Sequence, residues 1–485
     1  MKRSTPLIAA IVTQFLLCTP SFSQQDRYVL SVSPMQFKAA GGEADAELCS
    51  FSVPEKRPNK HSRLISLSFV RFKCTGQNCG SPIVYLAGGP GGSGIAAAKG
   101  PRFELFMALR EFGDVVALDQ RGTGLSNHLE ACEPPYRISI EQPGSREELV
   151  GTVRKNLIHC MNFWKEKGID VTGYNNLESA EDLEDLRKVL GAKKISLWGI
   201  SYGTQLAFSF LKTHGASVDK LILASLEATG DNIKQPLYAD HLLERIEKEV
   251  LRDPVTAAAF PDLRGSMRRV LERLEGNPIA VSTEDQKGNE FKVGISKFDV
   301  QAITSFFLLK NPTDIKNLPA IYSQMEKGDF KKMARLVMGL RAYCSSGDFY
   351  GMGLLMDAMT GVSKDQLMVI GAQENKSILG MTTNLPFPDL SEGLGLPVLG
   401  GKYLTDVTSR VPGLFISGTM DGRTFPEDAR RIASKFKNVT FVQVENGGHD
   451  IFEQSPLIQE LIVKYLKGEK IDGNLRLKPI EFARQ

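Results

Sequence analysis

The sequence has 485 residues, 42% hydrophobic and 24% charged, with 59 Lys and Arg against 56 Asp and Glu. A chain of this length and apolar content buries a large core, which excludes extended disorder. Near-neutrality gives no basic face for nucleic acid or for an anionic membrane surface.

Lys2 and Arg3, the apolar run Leu7 to Leu17 and the small residues around Ser21 to Ser23 read as an export signal cleaved after Ser23. The expected location is periplasmic or extracellular. The run is too short to span a bilayer, and no later stretch offers about 20 uninterrupted apolar residues. Cys18 falls within the discarded signal. Of the remaining cysteines, Cys49, Cys74, Cys79, Cys132, Cys160 and Cys344, the expected disulfides join Cys74 to Cys79 and Cys132 to Cys160. They show no Cys-x-x-Cys and no histidine at ligand spacing, so no metal is expected.

In chain order, Tyr28 to Phe72 alternates in short β-like runs and reads as an antiparallel edge. Pro82 to Ala87 and Asp114 to Asp119 are buried-type strands with a helix, Phe103 to Leu109, between them. A helix over Ala180 to Leu190, capped by Ser179 and ended by Gly191, leads to the strand from Lys194, and Lys220 to Ala224 is one more strand. Strands apolar throughout, alternating with helices, predict a mostly parallel sheet covered by helices on both faces. The pattern turns helix-rich from 228 to 403, read as an inserted cap. It returns to α/β with Gly413 to Gly418, a helix over Pro426 to Phe436, Val439 to Val444 and a closing helix over Pro456 to Leu466. The expected organisation is a signal peptide over 1–23, core over 24–227, cap over 228–403 and core again over 404–485.

The strand from Lys194 stops at Gly199-Ile-Ser-Tyr-Gly203 and a helix follows at once. A strand-to-helix turn this tight holds Ser201 in a strained conformation and pushes its hydroxyl out, beside the unpaired N–H groups of the helix start. Serine needs a base and the base an orienting acid. His449 follows the Val444 strand through a turn, at the carboxyl end of the sheet where open α/β sheets place their sites. His128 is its competitor. Asp421, at the end of the preceding strand, is the expected acid and gives the chain order Ser, Asp, His; Glu227, after the strand through Leu223, is the alternative.

The loop Gly88-Gly-Pro-Gly-Gly-Ser-Gly94 fits two chemistries. As Gly89, Gly91 and Gly94 with Asp119 downstream it matches a dinucleotide fingerprint, the rival reading of an NAD-type oxidoreductase. In the acyl-transfer reading no cofactor is required, and the N–H of Gly89 joins that of Tyr202 as an oxyanion hole.

Taken together, Gly88-Gly-Pro-Gly91, Asp119-Gln-Arg-Gly-Thr-Gly-Leu-Ser126, Gly199-Ile-Ser-Tyr-Gly-Thr204, Asp421 and Gly-Gly-His449 resemble the prolyl iminopeptidase and tripeptidyl aminopeptidase group of α/β hydrolases, over about Leu48 to Leu466. The resemblance implies a Ser201–Asp421–His449 peptidase with a cap over its site, acting on peptides with free N-termini. An esterase acting on other acyl substrates would use the same residues. The chain departs from the group's pattern at Ala87, where prolyl iminopeptidases carry histidine. An enzyme confined to free N-termini must pair the substrate ammonium with a carboxylate. Glu227, at the carboxyl end of a core strand just before the cap, is the candidate.

Overall fold

The computed structural model describes residues 29–127, 129–284 and 288–484. The expected signal peptide, Cys18 and the competing base His128 lie outside the described residues.

A ten-stranded sheet forms the frame, in the order β1-β2-β3-β5-β4-β6-β7-β10-β11-β12. The antiparallel edge is β1 (Ser31–Ala39), β2 (Gly42–Pro54) and β3 (Leu64–Phe72), paired in turn and joined through β3 to β5 (Val115–Leu118). From there the pairing is parallel through β4 (Ile83–Leu86), β6 (Ile195–Ser201), β7 (Val218–Leu226), β10 (Gly413–Gly418), β11 (Val439–Glu445) and β12 (Asn474–Arg476). Every residue of β4, β5, β6 and β10 is buried, as an apolar strand covered on both faces requires.

The two faces pack against separate clusters. Trp198 and Ile200 point to one, where the Trp198 ring lies within 5.6 Å of the rings of Tyr85, Phe106 and Phe452. Ile195 and Leu197 point to the other, beneath the helix Tyr202–His214.

The chain between β7 and β10 is mainly helical, as the sequence predicts. It also carries a two-stranded sheet, β8 (Ile279–Glu284) with β9 (Glu290–Ile295), which the helical reading missed. The helix expected over Ala180 to Leu190 begins earlier, at Asn176, because Asn175 rather than Ser179 accepts from the first free backbone N–H groups. Asp182, three residues past Ser179, holds the buried Arg121 through two 2.7 Å bonds. Arg121 also donates to the carbonyls of Glu55 and Gly173, so it ties the end of β2 to this helix.

Candidate active site

The elbow forms where the sequence placed it. Ser201 ends β6 at φ 56° and ψ −130°, a strained geometry for a residue with a Cβ, and the helix Tyr202–His214 starts on the next residue. Ser201 gives its helix no side-chain cap, which leaves the first N–H groups of that helix without one. Gly203 allows the turn to seat against β4: a Cβ there would drive into the Leu86 carbonyl. A Cβ on Gly199 would stand 2.9 Å from the Gly203 oxygen. The Gly88 to Gly92 loop closes over the elbow, and Gly88 packs so near that an added Cβ would lie 3.1 Å from Ser201 Cβ. Gly89, whose N–H is the second expected oxyanion donor, takes φ +126°, which favours glycine.

Asp119 braces this loop. Its Oδ1 accepts from Ser93 Oγ at 2.5 Å and Ile95 N at 3.0 Å, and its Oδ2 from Leu125 N at 2.7 Å. The carboxylate that a dinucleotide reading would direct at a ribose is thus spent on the chain itself.

His449 and Asp421 meet as expected. Nδ1 of His449 lies 3.0 Å and 3.1 Å from the two carboxylate oxygens of Asp421. Asp421 is fully buried and accepts three further bonds: Arg423 N and Thr424 N to Oδ1, both at 2.8 Å, and Thr424 Oγ1 to Oδ2 at 2.6 Å. Burial opposes its ionisation, but the His449 ring and the Thr424 bonds outweigh it and hold the carboxyl below its usual range. The His449 backbone is clamped as well, with N donating to the Lys310 carbonyl at 3.0 Å and O accepting from Ser225 Oγ at 2.7 Å. Ser225 itself sits at φ 51°. Glu227, the alternative acid, bonds Lys234 Nζ at 2.9 Å rather than the imidazole.

Ser201, His449 and Glu227 line one cavity of about 600 Å³. Among the described residues no hydrogen bond joins Ser201 Oγ to His449. Both line the cavity, and such contacts commonly tighten only around substrate.

The far wall comes from the chain between β7 and β10, with Phe306, Phe307, Leu340, Cys344 and Asp357 among its residues. Asp357 was not singled out from the sequence. It rides on the helix Met352–Thr360, and burial with the nearby Glu227 charge pushes its carboxyl up to about 8. Asn232 Oδ1 and Thr383 Oγ1 are buried in the same wall without a partner among the described residues.

Both expected disulfides are present, Cys74–Cys79 and Cys132–Cys160. Cys49 and Cys344 are buried and unpaired, so the even count of six does not extend to three bridges. No helix among the described residues is long and apolar enough to cross a membrane.

Residues 81–268 match the family model described as the alpha/beta hydrolase fold, and residues 397–474 match that of the TAP-like proteins. The chain is 29% identical over 215 residues to Serine protease Hip1 of Mycobacterium tuberculosis, covering 42% of this chain and 39% of that protein. It is 26% identical over 163 residues to the tripeptidyl aminopeptidase of Streptomyces lividans, covering 32% and 30%. To the probable proline iminopeptidase of Streptomyces coelicolor it is 29% identical over 186 residues, covering 38% and 45%. The chain spans less than half the length of these curated relatives.

Proposed function

By fold the chain is an α/β hydrolase, and we propose that it is an exported serine peptidase that removes residues or short peptides from free N-termini. One observation carries the reading: His449, paired with the buried Asp421, lines the same cavity as the strained Ser201 elbow. Relatives named as a serine protease, a tripeptidyl aminopeptidase and a proline iminopeptidase support it.

In this mechanism Ser201 Oγ attacks the scissile carbonyl while His449 Nε2 takes its proton. Asp421 holds the ring by Nδ1 and stabilises the imidazolium. The N–H groups of Tyr202 and Gly89 receive the oxyanion. Collapse breaks the C–N bond, the leaving amine takes the proton from His449, and water, deprotonated by the same base, releases the acyl group from Ser201. The wall between β7 and β10 acts as the cap that limits access.

The free α-amine is held by Glu227 and Asp357, with Asn232 Oδ1 as a further acceptor. Lys234 occupies Oε2 of Glu227, which leaves Oε1 for the ammonium. Asp357 is largely protonated at neutral pH and ionises when a cation arrives, so amine binding releases a proton. Export fits the N-terminal pattern and the two disulfides.

The experiment is a comparison of kcat/KM for one good peptide amide with and without N-acetylation. Acetylation is expected to cost 100-fold or more, about 3 kcal/mol, because a buried carboxylate then loses its partner. Equal values would remove the exopeptidase reading and leave a general acyl hydrolase.

A further inference from the structure

We propose that Arg423 is a carboxylate-recognising group of the cavity, so that the preferred substrates carry an anion close to the bond that is cleaved. The residue lies two positions after Asp421, and its side chain belongs to the cavity wall together with Phe306. Its guanidinium carbon stands 4.7 Å from the centre of the Phe306 ring. Phe306 is carried on a π-helical turn, Thr304–Leu308, a distortion found often at functional sites. A guanidinium held over an aromatic ring is positioned by it and keeps N–H donors for a partner.

No such partner stands among the described residues. Every other cation on the cavity wall is answered: Lys234 by Glu227 at 2.9 Å, Lys310 by Asp450 at 2.8 Å and Arg102 by Glu453 at 2.8 Å. Arg423 has neither an ion pair nor a side-chain hydrogen bond among the described residues. The one carboxyl left on the wall is Asp357, and because its pKa lies near 8 it carries little charge at neutral pH. Burial pulls the Arg423 guanidinium below its usual pKa, against the attraction of Asp421, Glu227 and Asp357. Arg423 is half-buried; a charge partly withdrawn from water without a partner is costly, and a bidentate carboxylate relieves that cost with two charge-assisted hydrogen bonds.

Two sources supply such a carboxylate in a peptide: an acidic side chain at the N-terminal residue, or the free C-terminus of a short peptide. The alternative role for Arg423 is support of Asp421. Its backbone N–H already bonds Asp421 Oδ1, which is a contact any residue provides.

The proposal rests on the reading of this cavity as the substrate site, and it is tested without turnover, so failure of the peptidase reading and failure of the Arg423 assignment are separable. Binding to the Ser201→Ala protein is measured by calorimetry for two matched pairs. One is Glu-Ala-Ala-amide against Gln-Ala-Ala-amide; the other is Ala-Ala-Ala against its C-terminal amide. The carboxylate member of one pair is expected to bind about 10-fold tighter or more, and the pair that discriminates identifies the source. With Arg423→Met added, that pair should become equal within about twofold; Arg423→Lys, which keeps the charge without the fork, should keep part of the preference. No preference in either pair with Arg423 in place overturns the proposal without any variant. So does a preference that survives Arg423→Met.

Discussion

Thr424 Oγ1 donates to Asp421 Oδ2 at 2.6 Å, on the carboxylate whose other oxygen lies 3.0 Å from His449 Nδ1. In the proposed mechanism the hydroxyl therefore fixes the carboxylate that orients the base. Thr424→Val removes that donor with little change of shape. It should lower kcat by about 10- to 100-fold, the worth of a hydrogen bond to a charged group, with KM little altered. Asp421→Asn should cost more, about 10⁴-fold in kcat, because the ring then loses its orientation and its counter-charge. Steady-state kinetics on one peptide amide checks both.

Ser201 and His449 act as a unit in this account. Each alanine variant should lose about 10⁶-fold in kcat, and the double variant should be little worse than either. Additive losses, read from the same assay, would show that the two side chains serve different steps.

Asp357 makes stability depend on pH with a definite sign. Folded, its carboxyl keeps its proton up to about pH 8; unfolded, it releases it near pH 3.9. Between those values the folded chain binds the extra proton, so stability falls as pH rises. Asp357→Asn removes the dependence. By that linkage it should raise stability by about 4–5 kcal/mol at pH 7.5 and by less than about 1 kcal/mol at pH 4. Denaturant melts at the two pH values decide it.

The cysteine pairing is open to a direct count. Expressed without residues 1–23, the protein unfolded without reductant should give two thiols, from Cys49 and Cys344, and four more after reduction of the bridges. In the folded protein both thiols should react slowly at neutral pH, since burial pushes Cys49 up to about 11 and Cys344 up to about 12. Loss of Cys132–Cys160 should cost about 3 kcal/mol, and loss of the short Cys74–Cys79 loop less. Thiol titration and denaturant melts of the serine variants give both numbers.

Local chemistry made much of this structure readable from the sequence. Pro456 opens the last helix and Gly418 ends β10, and both elements have the bounds that the sequence indicated. The elbow was legible because its five-residue pattern sits between an apolar strand and a helix; Gly199 is demanded locally by the Gly203 carbonyl, whereas Gly203 is demanded by the distant Leu86 carbonyl. Asn175 was missed as a cap because Ser179 and Asp182 offer the same local pattern, and only the distant Arg121 shows that Asp182 is engaged elsewhere. Asp357 and Arg423 had no local signal. Their place on the cavity comes from the chain between β7 and β10 folding back over the sheet, which brings the Met352–Thr360 helix near Arg423. No spacing along the chain records that approach. The β8–β9 pair was hidden in the same way within a segment of helical periodicity.

The most direct test of the central claim is the site of covalent labelling by a fluorophosphonate, mapped by mass spectrometry of the digested protein. Such a probe reports an activated serine and needs no knowledge of the natural substrate. The account predicts one adduct, on Ser201, absent from Ser201→Ala and formed at least about 10³-fold more slowly in His449→Ala. An adduct on another residue, or labelling of Ser201→Ala at the rate of the native protein, would contradict it.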